Sequence, residues 1–145
     1  MNQLRFEFIL LISFFVFTTG YVFGASTIDQ AKAELDTAIY HGKASADSDS
    51  VDTMKAHLHH VLNCIEGPEG KAFASSEANP CKGQGNGIIP DLTAAGSQGA
   101  QALGHVQEAD KIAVSSAGVS DLHTLHGYVD DIVNHLEEAK QALGM

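Results

Sequence analysis

Apolar residues recur every three or four positions along four stretches of the chain, a spacing that predicts amphipathic α-helices. Three of these stripes are regular and lie over 28–39, 51–65 and 122–143. The stripe over about 91–117 is weaker because glycines interrupt it, and glycine disfavours a helix interior. No stretch alternates convincingly between apolar and polar residues, so we predict an all-α protein.

Residues that begin and end helices stand at the edges of these stripes. Ser26 or Thr27, Ser50 and Ser120 precede three of them and are expected to cap the helix N-termini. Gly67, followed by proline, is expected to end the second helix.

The lengths of the connections predict how the helices are arranged. The connections near 46–49 and 118–119 are short, as antiparallel neighbours in a bundle require. The segment 67–90 is long and rich in glycine, proline, serine and asparagine. We therefore predict an antiparallel up-down-up-down four-helix bundle with one long loop between helices two and three.

The N-terminal segment has the pattern of a secretory signal. An almost wholly apolar run over 8–17 follows a short polar start, and small residues surround Gly24. We predict a signal peptide over 1–24 and a mature domain over 25–145, which places the protein in the periplasm or outside the cell. An uncleaved membrane anchor is the alternative, because the apolar segment is almost long enough to span a bilayer.

Cys64 and Cys81 are the only two cysteines of the chain. In an exported protein such a pair predicts a disulfide, here tethering the 67–90 loop to the end of helix two. By the chain-entropy estimate, a loop of this length contributes about 3 kcal/mol to stability. The alternative is that the thiolates bind a soft metal.

The formal net charge of −10 restricts the partners of the protein. Nucleic acids and anionic lipids bind basic patches, so both are excluded as expected partners. An acidic surface is compatible with cations.

Eight histidines are an unusual number for a chain of 145 residues, and imidazole is well suited to copper, zinc and nickel. Projected on helical wheels, the histidines flank the apolar stripes, which favours shallow metal sites over a buried cofactor. His123, His126 and Asp130 form a row on one flank of the last helix. The candidate metal ligands are His41, His57, His60, His123, His126, Asp130 and His135.

Other chemistries leave no recognisable motif. The chain has no Cys-x-x-Cys-His sequence, which excludes covalently attached haem, and the glycine-rich run at 83–87 lacks the Lys-Ser/Thr of a phosphate-binding loop. No nucleophile has a recognisable partner spacing, so we do not expect an enzyme. A bundle that binds b-type haem remains an alternative.

Two segments resemble a known family. The sequence Ala-Ile-Tyr-His-Gly-Lys at 38–43 and the histidine-rich sequence at 52–60 are similar to repeated units of the small metal-binding protein family, which are His-rich periplasmic four-helix bundles. The stretch 119–139 resembles a degenerate second copy. The resemblance implies binding of divalent metals, typically copper, for buffering or tolerance, and it points most directly to His41, His57 and His60.

Two functions follow as expectations. The first is an exported protein that buffers or sequesters copper, zinc or nickel. The second is a structural or interaction module of the cell envelope, which would present the 67–90 loop to a protein partner without binding metal.

Overall fold

The computed structural model describes residues 26–145, and this part of the chain is all-helical, as predicted. The segment predicted to be a signal peptide lies outside the described residues. Within 26–145 there is no β-strand, and no helix combines the length and apolar content needed to cross a bilayer. The five helices are α1 (Thr27–Ala46), α2 (Val51–Glu66), α3 (Ile88–Ala94), α4 (Ala100–Ser116) and α5 (Leu122–Ala142).

The predicted ends of α1 and α2 are confirmed. The hydroxyls of Ser26 and Ser50 each accept a hydrogen bond from the backbone N–H three residues later, at 3.2 Å in both cases. Gly67 ends α2 with a φ of +68°. The prediction for α5 was wrong by one position, because Asp121 rather than Ser120 caps it through a hydrogen bond from the N–H of Thr124 at 2.7 Å.

The third predicted helix is two helices. A single 3₁₀ turn over Gly96–Gln98 separates α3 from α4, and Gly96 has a φ of +61°, which no residue inside an α-helix adopts. α3 also begins earlier than predicted and takes in Pro90, which was assigned to the loop. Pro90 lies in the first turn of α3, where a missing N–H leaves no helical hydrogen bond unmade.

The long helices pack as antiparallel neighbours. α1 packs against α2 and α5, and α4 packs against α5, while α3 lies against α1 and α4. Between α1 and α5, ion pairs join Lys43 to Glu137 at 2.6 Å and Asp36 to Lys140 at 2.7 Å. The largest fully buried side chains are Leu35, Met54, Ile65, Ile88, Leu92, Leu125, Ile132, Leu136, Glu34, Val61, Val106 and Val129. The stripes identified from the sequence supply most of this core.

The segment between α2 and α3 is fastened to the helices at several points. A disulfide joins Cys64 to Cys81, with the Cα atoms 5.2 Å apart. The buried amide of Asn63 donates to the carbonyls of Ala74 and Ala78, at 3.2 and 3.0 Å, and accepts from the N–H of Ala74 at 2.8 Å. Because these contacts are distributed along the segment, the disulfide is one of several tethers.

A buried carboxyl group on α1 supports the end of this segment. Glu34 is 1% exposed, and its Oε1 accepts a hydrogen bond from the N–H of Gly87 at 2.8 Å, while its Oε2 has no hydrogen-bond partner among residues 26–145. Burial raises the pKa of Glu34 to about 7; the Gly87 N–H opposes this shift and the nearby carboxyl of Asp91 adds to it. Glu34 is therefore largely protonated in the folded protein below neutral pH.

The raised pKa makes stability depend on pH in a defined direction. A carboxyl whose pKa is 4.5 in the unfolded chain and about 7 in the folded protein stabilises the fold fully below pH 4.5, and this contribution is lost as the pH rises to about 7. The variant Glu34→Gln keeps a neutral side chain at every pH. We expect it to be about 2–3 kcal/mol more stable than the wild type at pH 8, with little difference at pH 4.

Urea unfolding of both proteins at pH 4, 6 and 8 measures this difference. Glu69→Gln is the control, because Glu69 is an exposed carboxyl and its replacement should change stability little at any pH. If the free energy of unfolding of Glu34→Gln differed from that of the wild type by the same amount at all three pH values, Glu34 would be ionised in the folded protein.

Candidate metal sites

Three histidines converge where α1 faces α2; we call His41, His57 and His60 site 1. His41 comes from the second half of α1, and His57 and His60 lie one turn apart on α2. The Nδ1 atom of His41 is 3.2 Å from Nδ1 of His57 and 3.3 Å from Nδ1 of His60. One ligand atom from each ring lies within 4.8 Å of the others.

These separations match the spacing of ligands around a metal ion. A tetrahedral ion with bonds of about 2.0–2.1 Å to nitrogen holds its ligand atoms about 3.3–3.4 Å apart. Site 1 reaches nearly this spacing between His41 and each of the other two rings. Small adjustments of side-chain torsions would suffice to admit an ion.

The electrostatics of site 1 favour neutral rings. Partial burial lowers the pKa of His41, and the neighbouring His60 and His57 lower it further. Burial also lowers the pKa of His60, with a further contribution from His57. A neutral imidazole keeps a lone pair, which a metal ion requires. The same features that disfavour a proton at site 1 therefore leave lone pairs for a cation.

Tyr40 lies beside site 1. Its side chain is 68% exposed, and the centre of its ring is 5.2 Å from that of His41, with the two ring planes nearly perpendicular. The chain has no tryptophan. Residues 26–145 contain two tyrosines, Tyr40 and Tyr128, and Tyr40 is the one whose ring adjoins His41, so its emission reports on events there.

A second group lies where α4 faces α5; we call His105, His135 and Glu138 site 2. Oε2 of Glu138 is 2.9 Å from Nδ1 of His105 and 3.2 Å from Nδ1 of His135. As in site 1, one ligand atom from each residue lies within 4.8 Å of the others. About a third of each histidine side chain and half of the glutamate side chain are exposed, so an ion could enter from solvent.

The structure separates the predicted ligands into three sets. It brings His41, His57 and His60 together, and it places His135 with His105 and Glu138, neither of which was predicted to be a ligand. His123, His126 and Asp130 instead line an open surface depression beside Ala46 and Asp47, and among residues 26–145 they belong to neither three-ligand group.

The peripheral placement of the histidines is confirmed, because none of the eight is buried. Both sulfurs of Cys64 and Cys81 are in the disulfide, so neither thiolate is a metal ligand in this structure.

The sequence contains a signal for site 2. His105 and Glu108 on α4 repeat the spacing of His135 and Glu138 on α5, so each helix carries a His-x-x-Glu pair. Residues three apart lie on one face of a helix. Two such faces can meet only if the helices pack with these flanks together, which the sequence alone does not reveal.

Comparison with known proteins gives no match: no family model, curated protein or solved structure is significantly similar to this chain.

Proposed function

We propose that the protein is an exported metal-binding protein that buffers or sequesters divalent transition metals, with site 1 as its principal site. The observation that carries the proposal is the convergence of three imidazoles from two helices, with Nδ1 of His57 and of His60 at 3.2 and 3.3 Å from Nδ1 of His41. Neutral imidazole binds copper, nickel and zinc, and the usual order of affinities places Cu²⁺ first. We therefore propose copper as the tightest ligand.

Features outside the site support this role. The long helices, interpreted as an up-down-up-down four-helix bundle, hold the histidines of α1 and α2 at fixed positions on its surface. The apolar N-terminal run and the Cys64–Cys81 disulfide favour export to an oxidising compartment. The resemblance of 38–43 and 52–60 to the small metal-binding protein family favours buffering or tolerance over catalysis.

Titration with Cu²⁺ at pH 7.5 tests the proposal. We expect saturable heat in isothermal titration calorimetry and a parallel loss of tyrosine fluorescence, because Cu²⁺ at site 1 would quench the adjacent Tyr40 ring. Zn²⁺ has a filled d shell and should give heat with little quenching. The control variant Tyr40→Phe should lose most of the quenching while the heat is unchanged.

Calorimetry tests whether a metal binds, and tyrosine fluorescence tests whether it binds beside His41. If copper, nickel and zinc all give no heat, the protein does not bind these metals, and the interaction module becomes the better account. If copper gives heat and the tyrosine emission is unaltered, the ion binds away from His41 and site 1 is the wrong location.

A further inference from the structure

We propose that site 2 is a second metal site, which holds Zn²⁺ through His105, His135 and Glu138 independently of site 1. This inference extends the proposed function, which rests on site 1 alone, and its test separates the two. Its ligands join α4 to α5, whereas those of site 1 join α1 to α2.

The two sites share one layout. In each, a histidine on the first helix of an antiparallel pair faces two ligands spaced three residues apart on the second helix. His41 faces His57 and His60 in site 1, and in site 2 the corresponding ligands are His105 on α4 and the His135–Glu138 pair on α5. The same arrangement thus occurs at two different helix interfaces.

The repeated His-x-x-Glu pairs add a second carboxylate close to site 2. Since α4 and α5 are antiparallel and His105 faces Glu138, Glu108 occupies the position that faces His135. Lys111 bonds Glu108 at 2.6 Å and is the main cause of the lowered pKa of that carboxyl, and His135 contributes a smaller part. His135 therefore lies within electrostatic reach of a carboxylate from each helix.

The distances at site 2 also suit an ion. The separations of 2.9 and 3.2 Å between Glu138 Oε2 and the two Nδ1 atoms are close to the spacing of about 3.3–3.4 Å expected around Zn²⁺. Without an ion, the carboxylate can accept an N–H from both rings. With an ion bound at Nδ1, each neutral ring would carry its N–H on Nε2 instead, and the Nδ1 lone pair would be available to the ion.

The charges around site 2 leave Glu138 available for a cation. Lys43 of α1 and Lys140 of α5 lie close to the same turns of α5, and each is paired with a carboxylate other than Glu138. Within residues 26–145, the carboxylate of Glu138 is paired only with His105 and His135. Two imidazoles and a carboxylate are a donor set found in zinc proteins, where a water takes the fourth position.

Site 2 should be relatively more favourable to zinc than site 1. Site 1 offers three neutral nitrogen donors, whereas site 2 has a negatively charged oxygen donor. Carboxylate oxygens favour harder cations, so this substitution shifts preference away from copper.

Calorimetric titration of the full chain with ZnCl₂ at pH 7.5 tests the inference with three double variants. His105→Ala with Glu138→Gln disables site 2, and His57→Ala with His60→Ala disables site 1. His123→Ala with Asp130→Asn is the matched control, because it also removes one imidazole and one carboxylate, and neither residue belongs to site 1 or site 2. Far-UV circular dichroism confirms that each variant is folded.

We expect the wild type and the control to bind two zinc ions and each site variant to bind one. An unchanged stoichiometry in the His105/Glu138 variant, or complete loss of binding in the His57/His60 variant, would overturn site 2 and leave site 1 standing. Complete loss in the His105/Glu138 variant, with one ion retained in the His57/His60 variant, would support site 2 and contradict the proposed function of site 1.

Discussion

Replacement of His41 by alanine is expected to weaken copper binding at site 1 by about 100-fold or more, which corresponds to roughly 2.7 kcal/mol or more of binding free energy. His41 is the only ligand that α1 supplies, and its Nδ1 is the atom that lies 3.2 and 3.3 Å from the other two rings. Without it, His57 and His60 remain as a pair on one helix. Competition with a chelator of known copper affinity measures the change.

His126→Ala is the matched control for this variant. It also removes one partly exposed imidazole from a long helix, but His126 lies beside the depression on α5 and not in either three-ligand group. Its copper affinity should equal that of the wild type. Equal losses in the two variants would mean that the histidines bind copper collectively and without a defined site.

Replacement of Gly67 by alanine is expected to lower the free energy of unfolding by about 3–4 kcal/mol and the melting temperature by roughly 10 °C or more. Gly67 has a φ of +68°, where a side chain is strained, and a Cβ there would overlap the carbonyl oxygen of Asn86. The end of α2 would have to move away from the segment that leads into α3. Thermal unfolding followed by circular dichroism gives the measurement.

Gly96→Ala separates the two causes of this effect. Gly96 has a similar φ of +61°, but a Cβ at that position would have no neighbour within 4 Å among the residues that the structure describes. Alanine at Gly96 should therefore cost only the backbone strain, about 1–2 kcal/mol. Similar losses at both positions would show that the close approach of Asn86 to Gly67 contributes nothing.

The sequence was informative about the helices because burial follows periodicity. The apolar stripes of α1, α2 and α5 identify the residues that form the core, and Ser26, Ser50 and Gly67 mark the ends of helices by their own side-chain or backbone chemistry. The break between α3 and α4 was not predicted. Glycines weaken the helical pattern there, but only the left-handed backbone of Gly96 shows where the helix stops.

The spacing of apolar and polar residues does not predict which polar side chains are buried. Periodicity places a glutamate on the solvent side of a helix, and Glu34 is nevertheless buried because the segment before α3 folds over it and donates the N–H of Gly87. Asn63 is buried for a related reason, since it bonds the backbone of the same segment. Such positions depend on contacts between residues that are distant in sequence.

The two metal sites also differ in how far the sequence predicts them. Residue type and helical position selected His41, His57 and His60 among seven candidate ligands, and only the resemblance to the small metal-binding protein family singled out these three. Site 2 requires knowing which flanks of α4 and α5 meet, and the helical wheel of a single helix contains no such information. The row of His123, His126 and Asp130 shares a face, yet within the described part of the chain no neighbouring helix adds a ligand to it.

The most direct test of the account is the crystal structure of the copper-loaded protein, with anomalous scattering recorded at the copper edge. We expect a strong anomalous peak between α1 and α2, at about 2.0–2.1 Å from one ring nitrogen each of His41, His57 and His60. A copper peak coordinated by other residues, with none between these three rings, would contradict the assignment of site 1.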